Sequence, residues 1–252
     1  MTVALDYREI AAVLRQEIDA DVYPRGSVFP TGPELAARFK VSQGTANLAM
    51  NELRSEGRIR TKRGRGTIVN PVPVIRRDAA GRQRPGAREA AGSRGAFDAE
   101  LRAAGLEPRS ESEPGRAVPP AEVAAALGIS EGTEAVYRRR RMYAGSEPVQ
   151  LATSWLPADI AAGTPIEQAD PGPGGIYSRL AHLGHAPDDF AEEIAVRVPR
   201  PDEAGELELD PDHRVYDITR TVVDSQDRVV EVNKLVLPTH LWVLVYRWHA
   251  DG

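Results

Sequence analysis

The 252-residue chain has no cysteine, which excludes disulfides and cysteine-ligated zinc or iron-sulfur sites. No apolar run approaches the roughly 18 residues that a membrane span requires. The opening, MTVALDYREIAAVLRQEID, carries acids where an export signal needs a continuous apolar stretch. These absences set the expectation of a cytoplasmic protein with no membrane partner. Gly64 and Gly66 are not followed by Gly-Lys-Ser/Thr, so they do not form a nucleotide-phosphate loop. No local motif joins Ser, His and Asp, and no pair of titratable groups stands at catalytic spacing, so neither catalytic residues nor a cofactor are expected. His182 and His185 have a ligand-like spacing, but Gly184 interrupts the helix and no cysteine completes a set; no metal is expected.

The length suits two domains. The net charge of -5 conceals an uneven distribution: residues 1–94 hold 17 Lys and Arg against 10 Asp and Glu, and the remainder holds 15 against 27. A basic head on an acidic body directs a polyanion to the head.

That head contains the most informative stretch. Between the N-cap Ser42 and Gly57, the residues Ala46, Ala49, Met50 and Leu53 recur at helical spacing, which turns one stripe toward a core. On the other side Gln43, Asn47 and Asn51 repeat every four residues, and amides suit the donor-acceptor edge of adenine. Beyond Gly57 the segment Arg58 to Val69 has five cations and no acid around a glycine-containing turn, the pattern of a β-hairpin with a basic tip suited to phosphates. Two helices precede it. Residues 7–21 place Ile10, Val13, Leu14 and Ile18 on one face, and Thr31-Gly32-Pro33-Glu34 has capping-box spacing ahead of Leu35, Ala36 and Phe39.

Residues 7–69 resemble the winged helix-turn-helix of the GntR family of bacterial transcription regulators. The likeness rests on Tyr7, Tyr23-Pro24-x-Gly26, Glu34-Leu35-Ala36, Phe39-x-Val41-Ser42, Gly44-Thr45, Leu53, Glu56-Gly57 and Gly64-x-Gly66-Thr67-x-Val69. It implies a double-stranded DNA operator as partner, contacted by Thr31, Ser42, Gln43, Gly44, Thr45, Asn47, Arg63, Arg65 and Gly66, and a dimer reading two half-sites about one turn apart. Gln43 and Asn47 stand where the family usually has arginine, so the expected operator favours adenine over guanine at those contacts.

From Asn70 to Arg94 the chain is rich in Pro, Gly, Ala and Arg and reads as a tether. The expected domains are 1–70, a linker 71–94, and 95–252. In the last, helices are predicted over 97–105, 120–127, 176–183 and 201–207. Hairpins are predicted over 135–143 with 149–155 and over 215–223 with 229–237, and further strands over 193–198 and 241–248. This is an α+β domain on an antiparallel sheet. The order is similar to the UTRA ligand-sensing domain of the HutC branch, whose fold is like chorismate lyase. Phe97, Gly105, Arg140, Pro148, Leu156-Pro157, Gly175-Ile176-Tyr177, Leu180, Arg220-Thr221 and Val230-Glu231 carry the likeness.

The resemblance implies a small-molecule effector held by Arg140, Tyr177, Arg220 and Glu231. Met142 and Ala152 stand where sensors of amino-sugar phosphates have an arginine and a glutamate, which disfavours that class and leaves a small organic acid or amphoteric metabolite. The other two arginines of the run Arg138 to Arg141 alternate with these, and most of the run is expected to be solvated or ion-paired. The expected function is a dimeric, effector-controlled repressor. Two alternatives stay open at this stage: a repressor without effector, and an enzyme with a lyase-like cavity.

Overall fold

The computed structural model describes residues 5–62, 64–79, 81, 95–210 and 212–247. The chain divides into two compact units, one of Met1–Pro73 with Asp210–His213, the other of Val74–Leu209 with Arg214–Gly252.

The first unit begins with α1 (Tyr7–Asp19), started by a full capping box between Asp6 and Glu9. Helix α2 (Gly32–Phe39) starts from Thr31 and Glu34 in the same way and ends on Lys40 in the left-handed region at φ 55°. Helix α3 (Gln43–Ser55) is capped by the Ser42 side chain, which accepts from Thr45 N at 3.1 Å. The predicted stripe of Ala46, Ala49, Met50 and Leu53 is buried, against Ile10, Ala11 and Leu14 of α1 and Leu35 of α2. Strands β1 (Ile59–Lys62) and β2 (Gly66–Val69) form the antiparallel wing, with Lys62 opposite Gly66, and Val28 bridges Ile68 on its other side.

The second unit opens with β3 (Ile75–Asp78) and α4 (Ala96–Ala103), then β4 (Pro108–Ala117) and α5 (Ala121–Leu127). The hairpin of β5 (Ala135–Ala144) and β6 (Glu147–Pro157) follows, then α6 (Ala158–Ala161) and α7 (Gly175–His182). The chain ends with β7 (Pro187–Arg197), α8 (Pro201–Glu206), β8 (Val215–Asp224), β9 (Val229–Pro238) and β10 (Trp242–Val245). Six strands build one antiparallel sheet in the order β4-β5-β6-β9-β8-β7. One face is covered through Val136, Leu156, Val222, Ile176, Tyr177 and Leu180, and the other carries Val123 and Leu127 of α5 on Ala135 and Val232. The expected α+β class and antiparallel sheet are therefore present.

Three elements differ from the sequence reading. Strand β4 was not predicted, because PRSESEPGRA contains no apolar alternation; it is an edge strand with one wet side, where proline and charge are tolerated. The segment 75–78, read as tether, is a strand in parallel pairing with β10. Arg77 is consequently buried and cannot serve as a phosphate contact. The rest of the proposed tether, 82–94, lies outside the described residues, as does Trp248 at the end of the last predicted strand.

Gly115 in β4 lies opposite Tyr137, and a Cβ there would meet the phenol ring at 2.7 Å. Gly115→Ala is expected to displace the ring from Trp155, its partner at 5.5 Å, and to lower stability by about 1–2 kcal/mol in a denaturant titration. Pairing that ring loss with Tyr137→Ala should remove most of the difference.

Candidate DNA-reading surface and ligand cavity

On the first unit, Ser42, Gln43, Gly44 and Asn47 are exposed on the first turns of α3, and Thr45 is half-buried beside them. Ser42 Oγ lies 2.9 Å from Thr45 Oγ1, so both hydroxyls are engaged in starting the helix. Thr31 is exposed at the start of α2, its backbone N–H and hydroxyl both donating to Glu34. The Asn47 amide lies over Gly32: a Cβ built there would stand 2.2 Å from Asn47 Oδ1. Glycine at 32 therefore makes room for the amide. The third amide of the predicted row is occupied, since Arg54 donates to Asn51 Oδ1. At the wing tip Arg65 is exposed between Gly64 and Gly66, at φ 77° and 76°, in the left-handed region where glycine is favoured. Arg63 lies outside the described residues. The wing thus holds an arginine at its turn because two glycines let the hairpin close there.

On the second unit, a cavity of about 510 Å³ opens on the face of the sheet covered by α7. That is a small-metabolite size. Its floor is a polar row running straight across the strands. Arg138 of β5 is in register with Ser154 of β6, Ser154 with Asn233 of β9, and Asn233 with Arg220 of β8. Arg140 and Glu231 lie two residues along their own strands, which by the period of two puts them on the same face. All four residues expected to hold an effector, Arg140, Tyr177, Arg220 and Glu231, line this one cavity. Their separation along the chain is 91 residues; the sheet register alone unites them.

The electrostatics are unbalanced. Tyr177 donates to Glu231 Oε2 at 2.6 Å, and Arg140 to Ser154 Oγ at 2.7 Å. Burial pushes the Arg140 guanidinium below the usual arginine value, although Glu231 and Tyr177 oppose the shift. Five buried atoms on the cavity residues lack a hydrogen-bond partner among the described residues: Nε of Arg140 and Arg220, Oε1 of Glu231, Oδ1 of Asn233 and Oε1 of Gln150. Unpaired buried polar atoms cost on the order of 1–3 kcal/mol each, so such a set is expected to meet a ligand or water.

Arg138 corrects the sequence reading, because it is buried at 2% exposure and not solvated. Its guanidinium donates to the carbonyls of Ile166 at 2.5 Å, Ala169 at 3.0 Å and Gln168, and to Ser112 Oγ at 3.1 Å. Burial and the like charge of Arg140 hold it at about 10. The outward pair behaves as expected: Arg139 pairs with Glu206 and Glu113, and Arg141 lies 3.8 Å from Glu208. Asn233 and Gln150 were missed, and the signal that would have found them is the strand register opposite Arg220 and Met142.

The histidine pair does not converge: His185 Nδ1 meets Asp224 Oδ2 at 2.8 Å and His182 Nδ1 meets Ser178 O at 2.6 Å. No group of metal-ligating side chains occurs among the described residues, and none of their helices is long and apolar enough to cross a membrane.

Comparison with known proteins agrees with both sites. Residues 6–69 match the bacterial regulatory proteins of the gntR family, and residues 103–240 match the UTRA domain. The chain is 32% identical over 231 residues to an uncharacterized HTH-type transcriptional regulator of Streptomyces coelicolor, covering 89% of this chain and 86% of the relative. A crystal structure of a putative GntR-family transcriptional regulator is 25% identical with a TM-score of 0.60, covering 97% of this chain and 98% of that one. The fold is also that of PhnF from Mycobacterium smegmatis, with a TM-score of 0.61, 24% identity, and coverage of 96% and 100%. The family and these relatives are transcription regulators and not enzymes, which removes the lyase-like alternative. A capped recognition helix with a basic wing, followed by a sheet domain around a charged cavity, is thus the architecture of a DNA-binding transcription regulator, and the chain belongs to the GntR family, with a UTRA domain as its second part.

Proposed function

We propose that the chain is a cytoplasmic, homodimeric repressor of the HutC branch whose hold on its operator is set by a small organic acid or amphoteric metabolite in the cavity. The observation that carries the reading is the mixed set of unsatisfied atoms, with guanidinium donors on Arg140 and Arg220 facing acceptors on Glu231, Asn233 and Gln150. An acid alone would satisfy the donors. A hydroxyl or ammonium group beside the acid would satisfy the acceptors as well, so a hydroxy acid or amino acid fits better than a simple carboxylate. Sugar phosphates remain disfavoured, because Arg138 is committed to three carbonyls and leaves fewer free donors than a phosphate dianion uses.

The test is a thermal-shift panel of hydroxy acids and amino acids against their neutral amides and against sugar phosphates, with the full chain. A specific acid at a hundredfold excess over its dissociation constant should stabilise by about 2.7 kcal/mol, and its amide should not. A panel without response would favour the effector-independent repressor. A ligand controls the operator only through unequal affinity for the two states, so the responding acid must also change operator affinity. Elution as a dimer, and lower reporter expression when the selected operator overlaps a promoter, are the outcomes expected for assembly and sign.

A further inference from the structure

The polar row on the cavity floor continues one strand further. Glu192 of the edge strand β7 is in register with Arg220, and its Oε1 lies 3.5 Å from Arg220 Nε. The same carboxylate is held by Arg77 on β3: Nη1 donates to Oε2 at 2.9 Å and Nη2 donates to Oε1. Tyr246, just past β10, donates to Oε2 at 2.8 Å. The Arg77 side chain is 0% exposed and that of Glu192 8%. One buried carboxylate therefore joins the cavity wall to the strand that follows the end of the first unit at Pro73.

A single negative charge here answers two guanidinium groups, so the cluster carries a surplus positive charge. Burial pushes the Glu192 carboxyl up, but the Arg77 hydrogen bonds and the charges of Arg77 and Arg220 hold it at about 2. The forked contact goes to Arg77, and the longer, single contact goes to Arg220. An anion arriving on Arg220 would take over that arginine, cancel the surplus, and leave Glu192 wholly to Arg77.

We propose that Glu192 is a positioning residue that couples the cavity to β3, so that neutralising Arg220 tightens Arg77 onto Glu192 and steadies the strand leading out of the DNA-binding unit. The trigger rests on the acid-binding reading above; the coupling itself is present without ligand and is tested without one.

The measurement is hydrogen exchange in the full chain at the amides of Ile75 and Ala79, which bond to the carbonyls of Leu241 and Val245 at 2.8 and 2.9 Å. Rates are normalised to β8 and β9 amides, which report opening of the main sheet. Glu192→Gln should speed exchange at both amides about tenfold, the scale of one charge-assisted hydrogen bond. Arg220→Gln should slow it about threefold, the scale of a partly screened charge pair, and Arg220→Lys, which keeps the charge, should leave it near wild type. In the Glu192→Gln background the Arg220 substitution should have no effect. Unchanged rates in Glu192→Gln overturn the proposal, as does an Arg220→Gln effect that is the same in both backgrounds. Arg220→Met replaces the glutamine variant if that one fails to fold. A silent thermal-shift panel would sink the acid reading and leave these exchange results standing, so the two fail separately.

Discussion

The double variant Gln43→Ala/Asn47→Ala is expected to bind the operator recovered by random-duplex selection roughly a hundredfold more weakly than wild type, with little change on scrambled duplex. Each bidentate amide-adenine pair is worth about 1–3 kcal/mol of discrimination, and two such losses are only partly additive because the residues share a helix face. The helix itself should survive, since its start depends on Ser42 and Thr45 and its buried stripe on Ala46, Ala49, Met50 and Leu53. Unchanged circular dichroism would establish that. Arg65→Ala supplies the contrast: an exposed wing cation should weaken every duplex alike and reduce the salt slope by about one. Fluorescence anisotropy on selected and scrambled DNA separates the two. Equal losses on both DNAs in the amide variant, or selection of a guanine-rich half-site by the wild type, would sink the assignment of base reading to these side chains.

The second large effect lies far from DNA. Arg138→Met is expected to destabilise the second unit by about 3–5 kcal/mol in urea, since one truncation orphans the carbonyls of Ile166, Gln168 and Ala169 and the Ser112 hydroxyl. These carbonyls belong to the segment that carries Asp170 and Pro171 along the cavity rim. The loss should therefore also blunt the thermal response to any acid that binds. Arg138→Lys keeps the charge but reaches fewer acceptors and should recover part of the stability. A loss below about 1 kcal/mol would mean that the segment stands without its guanidinium clamp. Two-state behaviour is not assumed for a two-unit chain, so the transition is followed by β-sheet signal and not by DNA binding.

Arg138 also marks the limit of sequence reasoning here. Its position on the Arg140 face follows from alternation, but alternation cannot say whether that face looks at water or at a core. A run of four arginines weighs toward water. The outcome depended on Ile166, Gln168 and Ala169 offering their carbonyls from a segment almost 30 residues away. Arg77 is a parallel case, since its composition suggests a tether and Glu192, 115 residues on, buries it. Strand β4 shows the complementary failure, because an edge strand needs no hydrophobic alternation to be paired.

What the sequence determined by itself is the DNA-binding unit: three caps, a stripe at helical spacing, and two glycines in a basic turn each act within a few residues, so a short window contains the whole cause. The cavity residues, by contrast, were legible only one by one and through family likeness. Their convergence, and the link from Arg220 through Glu192 to Arg77, was decided by tertiary structure, because strand register brings together side chains that no local window holds and burial then makes their unbalanced charge matter.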